Sequence, residues 1–269
     1  MIPLDWRERL QRDTSDFIAR KLPTGEFDID MIYNAYPERI DGKIPKEVIT
    51  FVSKQIAAHV VKDPTAHKAF LEYLWKKKGE HGKMAATYML QRIMKKRPEK
   101  YIDEVRGYLS AAGPIEANFL LDKTVLPLLK NEPENYLDTV VKWLKTSSAD
   151  SRAAIVKQLV KLCKQDPFML PIVFKRLEML WLYADEEMIK INIEFMKAAS
   201  KIDPDFYASI YAKYVNTRNP EFVEILAGAV TLYNPEMEAA FANWVQSGNA
   251  RLKRAALQGQ KLLLRKKKG

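Results

Sequence analysis

The stretch PENYLDTVVKWLKTSSADSRAAIVKQLVKLCKQDP, residues 133–167, reads as one unit of a repeating helical pattern. Its second half places Ile155, Leu159, Leu162 and Cys163 on one face at the helical period. Pro133 and Pro167, at its two ends, are expected in the first turn of a helix, where the N–H that proline lacks has no intrahelical partner anyway. Pro98, Pro204, Pro220 and Pro235 read the same way. Successive intervals along Pro98, Pro133, Pro167, Pro204 and Pro235 are 35, 34, 37 and 31 residues, room for two short helices and two turns each. A second ruler agrees: Trp75 precedes Ala85 and Ala86, Trp143 precedes Ala153 and Ala154, and Trp244 precedes Ala255 and Ala256. The tryptophans are 68 and 101 residues apart, close to two and three such units. Each Trp is expected to end a first helix and fill the wedge beyond it, and each Ala pair to open a second helix that its neighbour approaches closely.

Outward from this stretch the pattern persists. No glycine falls between Gly113 and Gly228, and Leu, Ala, Lys, Glu and Met dominate there. Met188, Ile191, Phe195 and Ala198 mark one face of a later helix. Alternation at period two is not found. The expected fold is all-α: about six helix pairs forming a single helical-repeat solenoid over 44–269, an α-α superhelix, with an irregular N-terminal cap over 1–43. Hydrophobic residues at 47% and charged residues at 29% of 269 supply a core and exclude a disordered chain. Charged residues from Asp5 to Arg9 argue against a secretory signal, the lone Cys163 forbids an intramolecular disulfide, and runs such as Phe168 to Phe174 are too short to span a bilayer. A cytoplasmic protein without a membrane partner is expected.

Searches for chemistry are mostly negative. There is no Gly-rich phosphate loop, no His-Glu-x-x-His and no Gly-x-Ser-x-Gly. His59, His67 and His81 fall on successive expected helices without i, i+4 pairing, so no metal site is expected, and no small-molecule cofactor. Cys163, on an apolar stripe, reads as a buried thiol. Charge placement says more. Lysines and arginines outnumber acids 44 to 34, and residues 248–269 alone hold Arg251, Lys253, Arg254, Lys261, Arg265, Lys266, Lys267 and Lys268 with no acid. That segment is expected to form an amphipathic helix through about Leu264 with a frayed end. On the second helices, Lys83, then Arg152, Lys157, Lys161 and Lys164, then Lys190, Lys197 and Lys201 recur at helical spacing. Equivalent helices of a solenoid line one wall, where such stripes form either a basic groove suited to phosphates or a merely solvated face.

Over roughly 42–164 the chain resembles the AlkD-type HEAT-repeat DNA glycosylases of the DNA alkylation repair family. Leu74, Trp75, Glu80 and Ala85 are similar to the family's Leu-Trp, Glu, Ala pattern, and Trp143, Ser147, Arg152 and Ala153 to its Trp, Ser, Arg, Ala pattern. The resemblance implies a C-shaped stack of antiparallel helix pairs whose concave face grips a duplex by its backbone, with Arg152 as a DNA-contacting residue. Between those two pieces the family carries a Trp and an Asp, the Asp stabilising the cationic sugar as an alkylated base leaves. Here the segment from Ser110 to Asn118 contains neither. Glu116 is its one carboxylate, and Asn118, near the position of the family's Asp, is neutral and offers no comparable Coulombic stabilisation. Only Phe195 lies near a third family aromatic.

Three readings stay open at this point. The first is a non-catalytic nucleic-acid-binding HEAT protein, holding duplex or branched DNA, damaged or intact, through Lys83, Arg152, Lys157, Lys161, Lys190, Arg251, Arg254, Lys261 and Arg265. The second is a HEAT scaffold that binds protein. The third is an active glycosylase for cationic alkylated purines, with Glu116 or Asn118 at the reacting centre.

Overall fold

A computed structural model of the chain describes residues 2–22 and 28–268. The cap expected over 1–43 therefore includes positions, 1 and 23–27, that lie outside the described residues, as does Gly269. Fifteen α-helices and one 3-10 turn make up the described residues, which contain no strand, only an isolated bridge between Ile40 and Lys43. No helix among them is long and apolar enough to cross a membrane. Contacts divide the chain into two compact units, Met1–Asn131 and Glu132–Gly269.

The first unit comprises α1 (Leu4–Ile18), α2 (Asp30–Ala35), α3 (Lys46–Val60), α4 (Lys68–Lys77), α5 (Gly79–Lys96), α6 (Pro98–Ser110) and α7 (Pro114–Asn131). Here α3 lies against α5 and α5 against α7, while α4 and α6 each pack on the helix that follows them. The second unit comprises α8 (Pro133–Trp143), α9 (Ala149–Gln165), α10 (Met169–Leu177) with the 3-10 turn Glu178–Leu180, α11 (Glu186–Ile202), α12 (Pro204–Tyr214), α13 (Pro220–Gly228), α14 (Pro235–Trp244) and α15 (Ala250–Lys268). In it α9, α11, α13 and α15 pack in succession, and α8 touches α10 as α12 touches α14. Helices two apart in sequence thus share faces in both units.

Local chemistry sets the helix starts. Pro98, Pro133, Pro204, Pro220 and Pro235 occupy the first helical position. Before three of them the side chains of Asp203, Asn219 and Asn234 accept amide hydrogens of the first turn, satisfying donors that have no intrahelical partner. Ser148 and Asp185 do the same for α9 and α11. Pro167 is different. The Asp166 side chain accepts from the Phe168 amide at 3.1 Å and the Asp166 carbonyl from Met169 at 3.0 Å, so the chain makes a separate turn and α10 begins two residues after the proline.

Trp75, Trp143 and Trp244 stand at or near the ends of α4, α8 and α14 and are buried, as their spacing implies. Ala85, Ala86, Ala154 and Ala256 are fully buried, whereas Ala153 faces solvent, so only one member of that pair makes the close approach. A further tryptophan, Trp181, is buried among Phe174, Tyr214 and Phe222 and donates to Asn192 Oδ1 at 3.0 Å. Helix α15 runs to Lys268, past the frayed end expected near Leu264, and buries Leu252, Ala256, Gly259 and Leu263. A Cβ at Gly259 would stand 2.4 Å from the Phe241 ring and 2.8 Å from Ala227 Cβ. Gly259→Val is therefore expected to cost about 1–3 kcal/mol through overpacking, read as a lower midpoint in urea unfolding, although valine favours helix over glycine. An unchanged midpoint would mean that α15 is not docked as described.

Candidate nucleic-acid interface

Along the long helices, cations at one helix start meet carboxylates at the next. Lys43, just ahead of α3, contacts Glu80 in the first turn of α5 at 2.7 Å, and Lys83 of α5 contacts Glu116 in the first turn of α7 at 3.0 Å. In the second unit Arg152 of α9 contacts Asp185, the N-cap of α11, at 2.9 Å. Arg251 of α15 reaches Glu221 at 2.9 Å and Glu224 at 2.7 Å on α13. The reason is geometric. Parallel helices shifted by one repeat bring their first turns level, and a carboxylate is already favoured there by the free N–H groups. The titration of the acids follows. Lys43 holds Glu80 and Lys83 holds Glu116 below the usual carboxylate range, while Asp185 is lowered first by the Met188 amide and then by Arg152.

Glu116 and Asn118, expected at a reacting centre if the chain were catalytic, are tied into the start of α7. Glu116 is half-buried and bound to Lys83, and α7 starts at Pro114, so its carboxylate sits on the positive end of the helix. Asn118 donates its amide to the Pro114 carbonyl at 2.7 Å, and its Oδ1 is buried without a partner. The adjoining cleft, lined by Lys83, Met84, Ile115, Glu116 and Phe119, encloses about 100 Å³, below the roughly 300 Å³ at which small-molecule sites begin. Phe195 is buried in the core.

The expected cations separate into two groups. Lys83, Arg152 and Arg251 are held as above, and Lys190 contacts Glu186 at 3.0 Å and Glu187 at 3.1 Å. Arg152 is nearly covered, and its Nε is buried without a partner. Lys161 is half-buried. Lys157, by contrast, is exposed and forms no ion pair among the described residues, and the same holds for Arg254, Lys261 and Arg265 on α15. Lys253, Lys266 and Lys268 are also exposed there, while Lys267 closes on Glu238 at 2.8 Å. Beside α15 runs a cleft of about 690 Å³ shared with α11 and α13, where Ile193, Gly228 and Leu262 lie among Glu186, Lys190, Glu224 and Arg254.

No group of three potential metal ligands occurs among the described residues. The His59 and His67 rings meet edge to face at 5.2 Å, a proximity that the sequence spacing did not suggest. Burial pushes the Cys163 thiol up to about 12, which leaves it protonated at neutral pH. No protein-family model, curated protein or solved structure matches this chain.

Sequence reading located the cations but not their partners. The signal lay in acids offset by about one repeat: 33 residues from Lys83 to Glu116 and from Arg152 to Asp185, 30 and 27 back from Arg251. Because Glu116 has a lowered value in the fold, its charge contributes stability above the ordinary carboxylate pKa, and that contribution is lost as pH falls through the folded value. Glu116→Gln is expected to lower stability by up to about 1 kcal/mol at pH 7. The gap to the parent should shrink between roughly pH 5 and pH 3 in urea melts. A gap independent of pH would show that the Lys83 pair contributes nothing.

Proposed function

We propose that each unit is a segment of a HEAT-like α-solenoid, related in fold to the alkylation-repair glycosylases, and that the protein binds DNA by its backbone without excising bases. The observation that carries this reading is the row Arg254, Lys261 and Arg265 on α15, exposed and without an ion pair among the described residues. From 132 to 249 acids outnumber bases 16 to 13, and the eight cations of 248–269 reverse that balance. Arg254, Lys261 and Arg265 stand on a folded, docked helix, so they meet phosphates without first ordering a tail. Lys157 is the other exposed candidate. Lys83, Arg152, Lys190 and Arg251 serve the fold instead, because their charge is already matched by carboxylates.

Affinity for a fluorescent duplex is expected to fall steeply with salt, with a log–log slope near −0.9 per phosphate neutralised. The triple variant Arg254→Ala, Lys261→Ala, Arg265→Ala should make that slope shallower by roughly three such contacts, whereas Arg152→Ala should leave it unchanged and lower stability. A triple variant with unaltered slope would refute the assignment to α15.

Absence of excision follows from the neutral Asn118 and the neutralised Glu116. An electrostatic partner of the developing sugar cation is worth about 2.7–4 kcal/mol of barrier when it is in place. Single-turnover assays should show no 7-methylguanine release from the parent chain, and none restored by Asn118→Asp alone, since the Asn118 side chain is folded back on Pro114. Robust parental release lost in Glu116→Gln would instead make Glu116 catalytic. One observation favours a protein-binding scaffold as the second reading: the cleft on α11, α13 and α15 mixes both charge signs with apolar side chains. Salt-independent DNA affinity would favour it.

A further inference from the structure

The apolar run from Phe168 to Phe174 does not serve the core alone. Phe168 at the N-cap of α10, Ile172 and Lys175 on it and Met179 in the 3-10 turn follow the i, i+4, i+7, i+11 spacing of one helix face, and all are exposed. Leu182 and Tyr183, in the turn that follows, are exposed as well, Phe168 and Tyr183 being 86% and 87% exposed. The two aromatics alone leave on the order of 300 Å² in water, already the size of the largest patch on an ordinary monomer. The helices beside α10 do not share the feature: the exposed positions of α8 include Glu134, Asp138 and Lys142, and those of α12 Asp205, Ser209 and Lys213.

Two independent observations point to a partner. Tyr183 sits at φ 61°, the left-handed region in which a bulky residue is strained and local stability alone favours glycine. The strain holds an aromatic ring out in solvent at the end of the stripe. The charges along the stripe are also selective. Arg176 is bound to Asp138 at 2.7 Å and Glu178 to Lys213 at 2.5 Å, whereas Lys175, midway between Phe168 and Tyr183, forms no ion pair among the described residues.

We propose that this face of α10 is a docking surface for an amphipathic helix of another protein, one with apolar residues at helical spacing and a single carboxylate midway that meets Lys175. Other occupants fit less well. A second copy lying antiparallel sets Lys175 against its own counterpart, and carboxylates on the neighbouring helices, Glu134 and Asp205, repel an anionic lipid surface. The surface belongs to a different row of helices from α15, so it stands whether or not DNA is bound there.

The test pans a phage-displayed library of random peptides of roughly 16 residues, about four helical turns, on the immobilised whole chain. The enriched peptide is then measured by fluorescence anisotropy. The expected consensus has apolar residues at i, i+3 or i+4 and i+7 with one Asp or Glu between them. Phe168→Ser and Tyr183→Gly should each weaken binding at least about tenfold with Tm within a few degrees, since glycine relaxes the backbone at 183 and both side chains lie in solvent. Lys175→Glu should weaken it comparably, and exchange of the peptide carboxylate for lysine should restore binding to that variant. Enriched peptides that lack an acid, or that ignore Phe168→Ser, would overturn the proposal. So would a dimer in sedimentation equilibrium that Phe168→Ser disperses, which assigns the face to a second copy. Phe168-dependent co-sedimentation with phosphatidylcholine–phosphatidylserine vesicles would likewise overturn it in favour of lipid.

Discussion

The apolar face of each long helix needs a neighbour that its own length of chain does not supply, and the helix two elements away supplies it. That requirement organises both units: α3, α5 and α7 in one, α9, α11, α13 and α15 in the other. It explains why buried alanines cluster on these helices and why Gly259 leaves no room for a Cβ between Phe241 and Ala227. It also brings successive helix starts level. Once they are level, a carboxylate that is favourable at a helix N-terminus stands within reach of a cation one repeat away. The ion pairs are therefore a consequence of the stacking rather than its cause, and being partly exposed they add little stability individually.

Charge matching is incomplete along α15. Arg251 reaches Glu221 and Glu224, and Lys267 reaches Glu238, whereas Arg254, Lys261 and Arg265 are exposed and form no ion pair among the described residues. The outward face of α15 is therefore basic, whereas Arg152 of α9 and Lys190 of α11 lie beside carboxylates. The same logic separates Arg152 from Arg254. Residue type is identical, yet one is an internal strut closed on an N-cap aspartate and the other points to solvent.

Much of the fold was legible in the sequence because its signals are local. Proline at the first helical position, with Asp or Asn before it, fixes a helix start without reference to anything distant, and the Trp and Ala spacings mark the period. Pro167 misled because a competing turn made by Asp166 precedes the helix. Trp181 and the solvent-facing Ala153 were not legible, since a tryptophan outside the period and the orientation of one alanine depend on neighbouring helices. The candidate site was legible only as an inventory of cations. Whether a lysine is matched depends on which turn of the next helix lies opposite, and offsets of 27, 30 and 33 residues differ by about a helical turn, a distinction that composition and period do not resolve.

The ion pairs between helices of the second unit named above close over 27 to 38 residues of chain. An arrangement closed by such short-range links has low contact order, so little loop entropy opposes any single step of its assembly. Docking can begin at any adjacent pair and spread to its neighbours. Backbone amides of α11 and α13, each flanked on both sides, should then exchange with solvent more slowly than those of α15, making the protein a graded rather than uniform barrier to unfolding.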